Sequence, residues 1–101
     1  MAYHSADFDN ALAVAAGDDA MLEAELRLAF AASLARQIDL LGRARCDANW
    51  YQTAERIHSL AASFHVVELI ELAEQANKAA PGDPQILRHL SAFSRNFSGM
   101  Q

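Results

Sequence analysis

The sequence predicts an all-α fold, an antiparallel four-helix bundle with a short N-terminal helix. Three observations carry that expectation. Apolar residues recur at helical spacings of three and four, with no strand-like alternation. Much of the 52% hydrophobic content is alanine, the strongest helix former. Only two prolines and four glycines interrupt the chain, and the run Pro81-Gly82-Asp83-Pro84 is its clearest punctuation.

A short helix is expected near residues 6–16, with Phe8, Leu12 and Ala15 on one face and Gly17 closing it. Asp18 and Asp19 then offer an N-cap and a negative first turn. The second helix, about 18–44, carries Leu22, Leu26, Phe30, Ser33, Gln37, Ile38 and Leu41 near one stripe. Its length suits one arm of a bundle. Gly42 weakens its end by roughly 1 kcal/mol relative to alanine.

Cys46 to Asn49 reads as a turn, with Asp47 or Asn49 as the next cap. A third helix over 48–65 places Trp50, Ala54, Ile57, Ala61 and Phe64 at spacings of 4, 3, 4 and 3. His65, Val66 and Val67 mark a break. The fourth helix, 67–79, turns Leu69, Ile70, Leu72, Ala73 and Ala76 inward and leaves Glu71, Glu74, Gln75 and Lys78 wet. Glu74 and Lys78 form a favourable i,i+4 pair there. Asp83 and Pro84 read as N-cap and first helical residue of the last helix, 84–97, with Ile86, Leu90, Phe93 and Phe97 inward. The core set is Trp50, Ile57, Phe64, Leu69, Leu72, Leu90 and Phe93, and a tail begins at Ser98.

The 101 residues suit a single domain, 1–101, with its core over about 8–97. A net charge of −5 argues against nucleic-acid and anionic-membrane partners, which need a basic footprint. Cys46 is the lone cysteine, so an internal disulfide and a cysteine zinc cage are excluded. No apolar run approaches the ~18 residues of a membrane span. Met1-Ala2-Tyr3-His4-Ser5 lacks the pattern of a signal peptide. These features suit a cytoplasmic protein, and the starting methionine with a complete bundle favours a free-standing one.

Signatures of enzymes are missing: no phosphate-binding glycine loop, G-x-S-x-G, H-E-x-x-H or C-x-x-C. His4 falls in a terminal segment, and His89 lies one residue from the Leu90 stripe. His58 and His65 lack a metal-ligand partner four residues along the helix, so no metal is expected. At ~100° per residue, Glu55 points roughly 160° from the Trp50/Ile57/Phe64 stripe. Ser59 and Ala62 share that outer face, Val66 lies behind them, and Tyr51 and His58 flank it. Small residues there leave the backbone open to a partner. Alanine serving simply as a helix former is the plainer explanation.

The Gly17-Asp18-Asp19 turn, the long second helix, the Asn49-Trp50 helix start, the stretch Arg56 to Phe64, and Leu69 and Leu72 together resemble the histidine-containing phosphotransfer (HPt) domains of bacterial phosphorelays. The resemblance covers about residues 8–97. It implies an antiparallel bundle whose solvent-facing motif, His-x-Leu-Lys-Gly, accepts and donates a phosphoryl group. Its implied partners are a response-regulator receiver domain, a hybrid histidine kinase, or both. The receiver supplies the carboxylate and Mg²⁺, so no cofactor is implied for this chain.

Two registers fit. With His58 as the acceptor, Leu60 matches the motif leucine, but Ala61 and Ala62 replace its Lys and Gly. Three residues must then be missing further along a helix, which rotates every later position by about 60°. In the other register Ile57 is the motif leucine, and His58 and Ser59 replace Lys and Gly. Phe64 and His65 then fall on the family's aromatic-or-aliphatic plus Gly pair, Leu69 and Leu72 match downstream core positions without a gap, and any length change is confined to the Arg45–Asn49 turn. The acceptor position becomes Glu55, which has no nitrogen nucleophile. Packing favours this second register.

It implies a degenerate HPt module, not an enzyme, that docks a receiver through Tyr51, Glu55, His58, Ser59, Ala62 and Val66. Glu55 and His58, at i and i+3, are expected to form a weak ion pair. The alternatives are phosphotransfer through His58, which would make the chain at most a phosphoryl carrier, and a helical scaffold or oligomerisation unit.

Overall fold

The structure, a computed structural model, describes residues 5–98. It contains α1 (Ala6–Ala16), α2 (Ala20–Gly42), α3 (Asp47–Ser63), α4 (Val67–Lys78) and α5 (Pro84–Ser98). No strand occurs among the described residues. The expected elements are all present, and their ends differ from expectation by no more than two residues. His4 and the tail beyond Ser98 lie outside the described residues.

The helix ends are set by local chemistry. At the end of α1, Gly17 adopts φ 62°, and the N–H groups of Gly17 and Asp18 donate to Val14 O and Ala13 O. That is a Schellman closure with glycine in the left-handed position. Asp19 Oδ1 then accepts from Met21 N–H at 3.0 Å and Leu22 N–H at 3.1 Å, starting α2. Asp83 does the same for α5, accepting from Gln85 N–H at 2.9 Å. Neither Asp47 nor Asn49 caps α3. The N-cap is Cys46, which makes no side-chain cap bond, and Asp47 serves as a negative charge in the first turn.

Packing joins the helices in a closed ring: α2 touches α3 and α5, and α4 touches the same two, while α1 lies on α2. The ring encloses one core. Phe8 brings α1 into it, with its ring centroid 5.3 Å from Phe30 and 5.2 Å from Phe97. Arg27 lies over the Phe8 ring at 4.8 Å and pairs with Asp9, fastening α1 to α2. Trp50 Nε1 donates to Ala76 O at 2.9 Å in a buried bond. Ala76 lies in the last turn of α4, where carbonyls have no helical partner, so the indole fills a need the helix leaves open.

The core departs from expectation at several positions. Trp50, Ile57, Leu69 and Leu90 are buried, whereas Phe64, Leu72 and Phe93 are half-buried at its edge. On α1 the inward residue is Ala16, and Ala15 is exposed. On α2 Leu34 is fully buried alongside Leu41, although the expected stripe passes over it, while Leu22 is 41% exposed. The α2 stripe runs through Phe30, Leu34, Ile38 and Leu41, a steady 4, 4, 3 spacing. Ser33 and Gln37 sit beside it, half-buried. Gln37 Oε1 is buried without a hydrogen-bond partner.

Candidate functional site

The expected docking face is the outer side of α3. Tyr51, Glu55, Ser59 and Ala62 succeed one another at i, i+4, i+8 and i+11, and all four are exposed. Trp50, Thr53, Ala54, Ile57 and Ala61 take the opposite, buried side. Glu55 enters no ion pair among the described residues. Its neighbours one and two turns on are a hydroxymethyl and a methyl group. Ser63 Oγ turns back to donate to Ser59 O at 2.8 Å, so it occupies a backbone acceptor on this face. The result is an open helical surface with a single carboxylate in its middle and little side-chain bulk beyond it.

Val66 does not belong to this face. It is fully buried. The helix stops at Ser63, His65 takes φ 57°, and the N–H groups of His65 and Val66 donate to Ala62 O and Ala61 O at 3.3 and 3.0 Å. This closure repeats that of α1, with His65 in the position that Gly17 holds there. In such a closure the residue after the left-handed one folds back on the helix as its apolar contact, and Val66 fills that role. Only a straight extension of α3 through residue 66 would place it outside.

His58 also differs from expectation. Its side chain retains 30% of its exposure and leans towards α4, where Nε2 lies 3.5 Å from Glu74 Oε2. The expected Glu55–His58 pair does not form, and Glu74 meets His58 across the helix interface in place of Lys78 on its own helix. Glu74 is therefore the residue near the site that sequence reasoning missed. Its place on the wet side of α4 was visible, but its cross-helix partner depends on how α3 and α4 pack.

His65 lines an open groove with Asp7, Asn10, Ala11, Val14 and Phe64, between α1 and the end of α3. His89 is exposed near the start of α5. Cys46 is a free, exposed thiol. Among the described residues no group of three or more His, Cys, Asp or Glu side chains could hold a metal. No helix among them is long and apolar enough to cross a membrane. No protein-family model, no curated protein and no solved structure matches the chain.

Proposed function

We propose that the chain is an antiparallel four-helix bundle of the HPt type that docks a response-regulator receiver domain and does not relay phosphate. In this reading Glu55 stands where the family's phosphorylated histidine would stand, and it holds a fixed negative charge there.

The backbone at His65 carries the proposal. The register that puts Glu55 in the acceptor position also pairs His65 with a family glycine. His65 is one of two non-glycine residues with positive φ among the described residues, at 57°. A left-handed position is where glycine is favoured and other residues are strained. The pairing rests on side-chain pattern alone, so the backbone supports it independently. The rival register needs a three-residue deletion inside a helix, and it makes His58 the acceptor. His58 Nε2 faces a carboxylate at 3.5 Å, a poor setting for an incoming phosphoryl group of the same charge sign.

Docking would use the exposed run Tyr51, Glu55, Ser59 and Ala62. The small side chains at 59 and 62 let a partner approach the helix backbone, and the Glu55 carboxylate presents the charge sign of a phosphoryl group. Titration of the protein against a panel of receiver domains tests this. Binding to one of them should weaken by at least about tenfold in Ala62→Trp, which fills the face, and in Glu55→Arg, which reverses its charge. Failure to bind any receiver would leave a helical scaffold as the better reading.

A further inference from the structure

The outer side of α2 carries an apolar surface that the receiver proposal does not use. Leu28 is 71% exposed, Met21 77% and Leu40 42%. The helix buries Phe30, Leu34, Ile38 and Leu41. At ~100° per residue the opposite side carries Met21, Leu22, Glu25, Ala29, Ala32, Arg36, Asp39 and Leu40, all exposed, with Leu28 on its border and Asp39 paired to Arg43. Charge interrupts this side, with Glu25 and Arg36 flanking a centre of alanine and the larger apolar side chains Met21 and Leu40 at its two ends.

Six of these residues stand in mirrored order, while Leu22 falls opposite Asp39. About a point midway between residues 30 and 31, Met21 mirrors Leu40, Glu25 mirrors Arg36 and Ala29 mirrors Ala32. Glu25 and Arg36 cannot meet within the helix, because 11 residues separate them by about 16 Å at 1.5 Å per residue. Neither enters an ion pair among the described residues.

We infer that this surface binds a second copy of the chain, with the two α2 helices antiparallel about a two-fold axis between residues 30 and 31. Each Glu25 then faces Arg36 of the other copy, each Met21 packs on the other Leu40, and the four central alanines let the helices approach closely. A symmetric contact of this kind uses the same patch on both copies, which the mirrored order satisfies. A parallel arrangement would set Glu25 against Glu25 and Arg36 against Arg36, so the charges select the antiparallel one. The contact involves none of Tyr51, Glu55, His58, Ser59 or Ala62, and it stands or falls independently of receiver docking.

Sedimentation equilibrium of the full chain across a concentration series tests the inference. The wild type should show a reversible monomer–dimer equilibrium that weakens with added salt, as exposed ion pairs do. Glu25→Arg and Arg36→Glu should each weaken the dimer by about tenfold or more, since each turns two attractive pairs into repulsive ones. The double variant Glu25→Arg/Arg36→Glu should restore it, because the reversed pairs again match. Circular dichroism checks that each variant keeps its helix content, which substitutions at exposed positions should preserve. A wild type that stays monomeric throughout overturns the inference. So does a dimer indifferent to the single substitutions, or one that the double variant fails to restore.

Discussion

His58 of α3 reaches across to Glu74 of α4, with Nε2 3.5 Å from Oε2. The pair joins the flank of the candidate docking face to the neighbouring helix and gives His58 a structural partner. With side chains 30% and 55% exposed, the contact is solvent-screened, and it is an ion pair only when the imidazole is protonated. A double-mutant cycle of His58→Gln and Glu74→Gln, read by urea unfolding, should give a coupling below about 1 kcal/mol. A larger coupling would make the histidine a stabilising element of the fold.

The two helix closures invite a paired test. Gly17 and His65 hold equivalent left-handed positions, at φ 62° and 57°. Gly17→Ala should destabilise by about 1 kcal/mol, and His65→Gly should stabilise by about 0.5–1 kcal/mol once the added freedom of the unfolded chain is subtracted. Thermal melting reads both, since 1 kcal/mol moves the Tm of a domain this small by about 4–8 °C. A destabilised His65→Gly would mean that the imidazole makes contacts worth more than the strain.

Trp50 and Ile57 probe the α3 core. Ile57 is fully buried, and Ile57→Ala should cost about 2–5 kcal/mol. Trp50→Phe keeps an aromatic ring but leaves the Ala76 carbonyl without its donor, which should cost about 1–3 kcal/mol for the polar group alone. Both losses should appear as lower urea midpoints with little change in slope. A nearly neutral Ile57→Ala would undermine the helical phase on which the outward position of Glu55 depends.

Most of the helix ends were legible because their determinants are local. Gly17, Asp19 and Asp83-Pro84 each act on a backbone group within five residues. The side of α3 that carries Glu55 was legible for the same reason, since Trp50 and Ile57 fix its phase. Leu34 was missed because helical spacing alone also permits an α2 stripe through Ser33 and Gln37. Val66 was misplaced because only the turn at His65 decides whether it continues α3 or folds under it. The His58–Glu74 pair depends on how α3 packs against α4, and i,i+4 rules carry no such information.

Phosphate transfer tests the central claim most directly. The protein is mixed with the radiolabelled, phosphorylated form of a receiver that it binds, and acid-labile label on this chain is tracked over time for the wild type and His58→Gln. The degenerate reading predicts no label on either protein, with receiver binding retained by the wild type. Label that accumulates on the wild type and disappears in His58→Gln would contradict it and make His58 the phosphoacceptor.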